Sequence, residues 1–166
     1  PSPNSELEIS QALSSGLDVA RKGYPLSVIL FDIDHFKKIN DNHGHLAGDY
    51  VLKELCRMLK DTVLRTEDVF GRFGGEEFIL ILNNSSLEKA QIIAERCRQA
   101  IQQLQLISDA GEKIQVTASF GIALSNTQLR PQQLLSQADK ALYEAKACGR
   151  NQVKCYQDFF NEAKLC

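Results

Sequence analysis

The sequence predicts an α+β fold, an α/β sandwich in which helices flank a mostly antiparallel central sheet of five strands. Two observations support this prediction. Short apolar runs, typical of buried strands, alternate with longer segments whose apolar residues recur every three or four positions, as in amphipathic helices. The predicted order is helix, strand, helix, hairpin, helix, strand, helix, strand, and the central hairpin indicates antiparallel pairing. The 166 residues are enough for one domain.

The first third of the chain contains a helix, a strand and a second helix. Residues 5–21 form an amphipathic pattern that ends before Pro25, because proline cannot continue a helix. The apolar run at residues 26–34 predicts a strand. Residues 47–64 predict a helix with one apolar face. We interpret the segment between them as a turn that opens toward this helix.

A hairpin and a long helix follow. Residues 68–73 and 77–82 are the two arms of the predicted hairpin. Ser85 is predicted to cap the next helix, and Glu88 three residues later would complete a capping box.

The last part of the chain predicts a strand, a helix and a short final strand. Residues 113–123 form the strand, and Pro131 suits the first turn of a helix that runs to Ala147. Gly149 then ends this helix, because glycine readily adopts the left-handed conformation found after helix ends. Residues 152–156 form the final strand.

Composition excludes several classes of protein. The net charge of −2 gives no general attraction to nucleic acid or to anionic membranes. The apolar runs are far shorter than the roughly 18 residues needed to cross a bilayer. None of the five cysteines forms a Cys-x-x-Cys pair, so we expect buried thiols rather than zinc ligands or disulfides.

The most distinctive stretch is residues 71–78, which reads Gly-Arg-Phe-Gly-Gly-Glu-Glu-Phe. The adjacent Gly74 and Gly75 allow a tight turn and leave the backbone open to a ligand. Two carboxylates, Glu76 and Glu77, follow at the lip of this turn. Because hard cations bind carboxylate oxygens, the turn is predicted to hold a cation and the phosphates that it binds.

A second acidic pair, Asp32 and Asp34, closes the first predicted strand. Residues two apart on a strand share a face, so Ile33 points the other way, into the core, and leaves its carbonyl free. Asp32, the Ile33 carbonyl and Glu76 would make a partial oxygen cage for Mg²⁺. Acids that simply end strands in solvent are the alternative. Two acidic strand ends together favour metal-assisted phosphoryl chemistry.

The turn after this strand contains groups suited to a nucleotide. Its backbone N–H groups and Lys37 can meet phosphate oxygens. Asn40 and Asp49 offer an amide and a carboxylate that can pair with the edge of guanine, and His45 lies between them in sequence. A solvated lysine, a turn asparagine and a capping aspartate are equally consistent with the spacing.

These motifs together match a family. The chain resembles the GGDEF-domain diguanylate cyclases, bacterial enzymes that condense two GTP into cyclic di-GMP and release two pyrophosphates. The similarity spans residues 3–156, and the predicted fold resembles the palm-like nucleotide-cyclase arrangement. The matching segments are residues 31–41 (FDIDHFKKIND), 44–45 (GH), 48–49 (GD), 74–78 (GGEEF), 119–121 (SFG), 138–143 (ADKALY) and 146–151 (KACGRN).

The resemblance implies a catalytic centre with two metal ions. Asp32, the Ile33 carbonyl and Glu76 would bind two Mg²⁺, with Mn²⁺ as the alternative ion. Glu76 would also help to deprotonate the attacking 3′-hydroxyl, and Glu77 would assist. Lys37 would stabilise the charge that develops as pyrophosphate leaves.

The resemblance also implies the substrate contacts. Asn40 and Asp49 would bind guanine, while Phe36 and His45 would belong to the nucleotide pocket. The basic residues would bind the β- and γ-phosphates of GTP. They are Lys37, Lys146 and Arg150.

Regulation and assembly are further implications of the resemblance. Arg65 and Asp68 match an inhibitory Arg-x-x-Asp site for cyclic di-GMP, and Arg96 matches an arginine that contacts product from the neighbouring domain. Without the resemblance, Arg65 and Asp68 would be an exposed ion pair. One domain holds one GTP, so catalysis would need an antiparallel homodimer. No nucleic acid partner is expected.

The ends of the chain depart from the family pattern. Only Pro3 and Asn4 fit the usual Asp-x-Leu-Thr-Gly-Leu-x-Asn-Arg opening, so we expect residues 1–166 to be one domain with a truncated start at residues 1–5 and a tail at 157–166. An upstream sensor or dimerisation domain would then be missing. A cytoplasmic catalytic domain is expected, with tethering of a longer protein to a membrane left open. The alternative function is a catalytically silent domain that binds cyclic di-GMP or GTP.

Overall fold

The computed structural model describes residues 6–126 and 128–161. The helices and strands, in chain order, are α1 (Glu6–Ala20), β1 (Leu26–Ile33), α2 (Phe36–His43), α3 (His45–Thr62), β2 (Val69–Gly74), β3 (Glu77–Asn83), α4 (Leu87–Gln103), β4 (Leu106–Ile107), β5 (Lys113–Ile114), β6 (Ala118–Leu124), α5 (Pro131–Ala147), β7 (Val153–Cys155) and α6 (Tyr156–Asn161).

The central sheet has five strands in the order β2-β3-β1-β6-β7. The pairs β2–β3, β3–β1 and β1–β6 are antiparallel, and only the pairing of β7 with β6 is parallel. Strands β4 and β5 form a separate two-stranded ribbon. The predicted α+β fold with a mostly antiparallel five-stranded sheet is therefore confirmed.

Helices cover both faces of this sheet, and the alternation along β1 assigns its side chains to the two layers. Ile29, Phe31 and Ile33 pack with residues of α3 and α4 in one apolar layer. Val28 and Leu30 pack with α1 and α5 in the other. Because both faces are covered, β1 reads as a continuous apolar run rather than as an alternating pattern.

Helix α5 lies unusually close to β6 at Gly121. A Cβ atom at this position would lie 2.2 Å from the backbone nitrogen of Leu142 and 2.3 Å from the carbonyl oxygen of Ala138. Both atoms belong to the helix backbone, which cannot rotate away as a side chain can. Glycine at this position therefore sets how closely the helix and the strand pack.

Two local predictions were wrong around helix starts. The segment read as a turn is helix α2, because Phe36 and Ile39 are three residues apart and bury the same side of one helix. Gly44, with φ of 88°, then separates α2 from α3. Ser86, not Ser85, caps α4 and accepts a hydrogen bond from the backbone N–H of Lys89, so the predicted capping box does not form.

The predictions near the C-terminal half were more accurate. Helix α5 has the predicted bounds, and Gly149 follows it with φ of 113°. The predicted strand at 113–123 is divided, because residues 113–114 pair with β4 and the central sheet begins its next strand at Ala118.

The cysteines are mostly buried thiols, as expected. Cys56, Cys97 and Cys155 are free and buried. Cys148 is disulfide-bonded, which contradicts the expectation of reduced thiols at that position. Across residues 6–126 and 128–161, no helix combines the length and the apolar character needed to span a membrane.

We predict that Gly121→Ala lowers the free energy of unfolding by about 3 kcal/mol, because the new methyl group overlaps backbone atoms of α5. Urea denaturation monitored by circular dichroism measures the change. Gly111→Ala is the control, since its Cβ would meet no atom within 4 Å and only its φ of 79° opposes a side chain. That variant should lose about 1 kcal/mol. Equal stability of the two variants would contradict the steric argument.

Candidate active site

The strand register gathers the acidic residues at one edge of the sheet. Asp32, near the end of β1, lies opposite Glu77 of β3 and opposite Ser119 of β6. Glu76 precedes Glu77 in the turn of the β2–β3 hairpin. The turn bends at Gly75, whose φ is 49° and whose carbonyl accepts a 2.6 Å hydrogen bond from Nε of Arg72. The two acidic strand ends predicted from the sequence therefore meet.

Asp32 is the most buried carboxylate of this group. Its position in β1 points it toward the α5 layer, where Lys146 Nζ donates a hydrogen bond to its Oδ2 atom. The Asp32 side chain is only 13% exposed. Its Oδ1 atom is buried and has no hydrogen-bond partner within the described ranges. One carboxylate oxygen of Asp32 is thus paired and the other is not.

Burial and crowding make these carboxylates costly to ionise. Burial raises the pKa of Asp32, and the negative charge of Glu76 adds to this effect, although Lys146 opposes it. Burial also raises the pKa of Glu77, with smaller contributions from the negative charges of Asp32 and Asp139. The charge balance at this edge is negative, and Lys146 supplies a single positive charge beside Asp32.

This donor set fits a hard divalent cation. The unpaired Oδ1 of Asp32 and the neighbouring carboxylate of Glu76 are ligands of the type that Mg²⁺ prefers. Within residues 6–126 and 128–161, no three His, Cys, Asp or Glu side chains already converge as a ready metal cage. A cation there would depend on main-chain, water or substrate oxygens to complete its shell, as Mg²⁺ commonly does.

Asp34 has a structural role and does not belong to this donor set. Its buried carboxylate accepts hydrogen bonds from the hydroxyls of Thr117 at 2.7 Å and Ser119 at 2.6 Å. It also accepts the backbone N–H of Asn151 at 3.0 Å. These three donors leave little capacity for a metal, so Asp34 ties β1 to β6 and to the loop after α5. The sequence did not reveal this role, although Ser119 stands in one of the recognised motifs.

The residues predicted for guanine lie where α2 meets α3. Asn40 faces Gly48, and a Cβ at Gly48 would lie 1.9 Å from the Asn40 Oδ1 atom. Glycine at this position therefore leaves room for the Asn40 amide. His45 and Asp49 are exposed in the first turns of α3, on either side of Gly48 in sequence. The structure places Asn40 against the part of α3 that bears the other two residues.

The predicted phosphate contacts lie on two separate segments. Lys37 is exposed in the first turn of α2, just after His35, whose φ of 55° is left-handed. Lys146 lies in the last turn of α5 beside Asp32, and exposed Arg150 follows in the next loop with φ of 64°. Lys146 is joined to the acidic edge directly. Arg150 lies next to Asn151, whose backbone N–H donates to Asp34 and Ser119 and not to the carboxylates of Asp32, Glu76 or Glu77.

The predicted inhibitory residues lie at the far end of β2. Arg65 Nη2 is 3.0 Å from Asp68 Oδ1, and the Arg65 backbone N–H donates to Asp68 Oδ2 at 2.9 Å. Six residues of strand, about 20 Å, separate this turn from the hairpin turn. Burial raises the pKa of the Cys97 thiol on α4 to about 12, and the negative charge of Asp68 contributes to this rise. Asp68 therefore lies close to α4. Arg96 is exposed on the same helix.

Comparison with known proteins gives consistent matches. A family profile described as "Diguanylate cyclase, GGDEF domain" matches residues 5–152. The chain is 46% identical over 129 residues to "Diguanylate cyclase A" of Treponema denticola, which is 77% of this chain and 34% of that protein. It is 39% identical over 137 residues to "Diguanylate cyclase DosC" of Escherichia coli, which is 82% of this chain and 30% of that protein. The chain thus spans about a third of the length of these relatives.

Solved structures agree with the observed fold. The crystal structure of the GGDEF domain of DgcB from Caulobacter crescentus, in complex with c-di-GMP, matches with a TM-score of 0.85 and 27% sequence identity. The match covers 90% of this chain and 86% of that one.

We predict that Asp34→Ala lowers the free energy of unfolding by about 3 kcal/mol, because the hydroxyls of Thr117 and buried Ser119 lose their acceptor and the Asn151 N–H loses one of its two acceptors. Chemical denaturation measures the loss. Exposed Asp41→Ala is the control and should change stability by less than about 0.5 kcal/mol. If the two variants are equally stable, the Asp34 hydrogen bonds do not hold the edge together.

Proposed function

Because the chain belongs to the diguanylate cyclase, GGDEF-domain family, we propose that it condenses two GTP into cyclic di-GMP and releases two pyrophosphates. The observation that best supports this proposal is the state of Asp32. It is a buried carboxylate with one unpaired oxygen, beside Glu76 and opposite Glu77. Such a cluster suits phosphoryl transfer, in which positioning and electrostatics provide most of the rate.

Asp32, the Ile33 carbonyl and Glu76 would hold the divalent cation, which we propose to be Mg²⁺, two ions per site, with Mn²⁺ as a substitute. A cation bound there supplies charge neutralisation for the attacking and leaving oxygens. The donor set supports a cation of this class, because Mg²⁺ selects oxygen ligands.

The basic residues of the chain would hold the triphosphate. Lys146 is 36% exposed, so its ammonium group can contact a phosphate oxygen while it stays beside Asp32. Lys37 and Arg150 are exposed and can approach the β- and γ-phosphates. Lys37 would also stabilise the leaving pyrophosphate.

Asn40 and Asp49 would bind the base, because an amide and a carboxylate complement the O6 acceptor and the N1 and N2 donors of guanine. Phe36 and His45 would complete the nucleotide pocket. The missing side chain at Gly48 supports this assignment, because it leaves the Asn40 amide room beside α3.

In the proposed reaction, the 3′-oxygen of one GTP attacks the α-phosphorus of the other. Glu76 takes the hydroxyl proton, with Glu77 assisting, while the bond from the α-phosphorus to the bridging oxygen breaks and pyrophosphate leaves. The second bond forms in the same way from the other GTP. Because one domain offers one such site, two domains must face each other as a homodimer.

Product inhibition is proposed at Arg65, Asp68 and Arg96. Arginine forks bind phosphate and the Hoogsteen edge of guanine well. The turn that bears Arg65 lies close to α4, the helix that bears Arg96, which supports a shared site. A silent domain that only binds nucleotide is less well supported, because the acidic signature at Glu76 is intact and Asp32 and Lys37 are present beside it in the motif set.

The direct test is to incubate the protein at high concentration with GTP and Mg²⁺ and to analyse products by chromatography. Cyclic di-GMP and pyrophosphate in a 1:2 ratio are expected, and ATP in place of GTP should give no cyclic product. If no product forms even after fusion to a dimerising coiled coil, the proposed activity is wrong.

We predict that Glu76→Gln lowers the rate of cyclic di-GMP formation at least about 100-fold, because the neutral amide is a poor cation ligand and cannot take the 3′-proton. GTP affinity, measured by calorimetry, should change much less. Glu88→Gln, an exposed change on α4, is the control and should leave the rate unaltered. Near-normal turnover by Glu76→Gln would remove Glu76 from the mechanism.

We predict that Arg65→Ala raises the cyclic di-GMP concentration needed for half-inhibition about tenfold, because the loss of charged hydrogen bonds weakens product binding. The initial rate without product should stay within about twofold. Arg57→Ala serves as the control, since Arg57 also forms an ion pair, with Glu54, but on α3. Unchanged inhibition would place the regulatory site elsewhere.

A further inference from the structure

Arg98 of α4 is held by hydrogen bonds within its own helix and reaches the loop after α5 through one further hydrogen bond. Its Nη2 and Nε atoms donate to the two carboxylate oxygens of Glu95 at 2.5 and 2.9 Å. Its Nη1 atom donates to Gln102 at 3.0 Å and to the Asn151 Oδ1 atom at 2.9 Å. The Arg98 side chain is only 16% exposed. Glu95 and Gln102 fix the direction of the guanidinium, and Asn151 is the contact outside α4.

The loop that Arg98 contacts has two consecutive residues in an unfavourable backbone conformation. Arg150 and Asn151 both have positive φ, 64° and 47°. Two consecutive left-handed residues that are not glycine need support from their surroundings. Asn151 receives this support on two sides, because its backbone N–H donates to Asp34 at 3.0 Å and to Ser119 at 3.2 Å, while Arg98 binds its side chain.

We propose that Arg98 is a positioning residue, which holds Asn151 so that Arg150 is directed toward the phosphate end of the bound nucleotide. This inference rests on the proposed function of Arg150 in binding GTP. The side chain must be arginine because all three guanidinium nitrogens, Nε, Nη1 and Nη2, donate hydrogen bonds at the same time. Lysine offers one nitrogen and cannot reproduce that arrangement.

The first test uses Arg98→Lys, which keeps the charge and loses the fork. The KM for GTP should rise about tenfold while kcat changes less than twofold, because Arg98 touches neither the acidic edge nor the reacting atoms. The control is Arg21→Lys on α1, where Arg21 pairs with Asp18 at the same spacing of three residues. It should change neither constant.

A double-mutant cycle with Arg150→Ala tests whether Arg98 acts through Arg150. In the Arg150→Ala background, Arg98→Lys should raise the KM less than twofold further. A full tenfold rise in both backgrounds would show that Arg98 acts by another route and would overturn the proposal.

Amide hydrogen exchange separates this inference from the proposed activity, because it needs no turnover and no nucleotide. Arg98→Lys should speed exchange of the Asn151 amide at least about tenfold relative to Arg21→Lys, while amides in the middle of β1 stay unchanged. If this exchange is unaltered, Arg98 does not hold the loop, whether or not the protein makes cyclic di-GMP. If exchange rises but GTP gives no product, the loop contact stands and the proposed activity fails.

Discussion

Strand β1 has a partner on each side, and the hydrogen bonds to these two strands determine where the groups of the acidic edge lie. Pairing with β3 puts Glu77 opposite Asp32, and pairing with β6 puts Ser119 on the other side. Because side chains alternate along a strand, Asp32 also faces α5 and meets Lys146. The same alternation sends the neighbouring Phe31 into the opposite layer, where it stacks on the phenyl rings of β3 and β6 at 5.1 and 4.8 Å.

The acidic edge contains a buried carboxylate oxygen without a hydrogen-bond partner in the described structure, which makes ionisation of Asp32 unfavourable. A buried carboxylate is normally fully paired, because an unpaired one loses its hydration without compensation. Asp34 follows this rule with three donors. Asp32, only two residues away, has one oxygen without a partner in the described structure and a pKa raised mainly by burial. The contrast separates a carboxylate that supports the fold from one that is available to a ligand.

Sequence reasoning predicted the elements whose signals are local. Helix α5 was placed correctly because Pro131 and Gly149 mark its ends. Helix α2 was missed because it is short and polar. Its stability comes from the tertiary packing of Phe36 and Ile39 and not from intrinsic helix propensity. The division of residues 113–123 depends on β4, a two-residue strand that no sequence pattern marks.

Asp32 and Glu76 could be singled out from the sequence because each stands in a short acidic run, and the charge of Glu76 does act on Asp32. The support around them depends on partners distant in sequence, such as Arg98 and Asn151, and spacing does not reveal those. Because side chains alternate along β1, inserting or deleting a single residue within this strand would turn Asp32 toward the aromatic layer. Natural variation in chain length should therefore collect in the loops and leave the number of residues in β1 untouched.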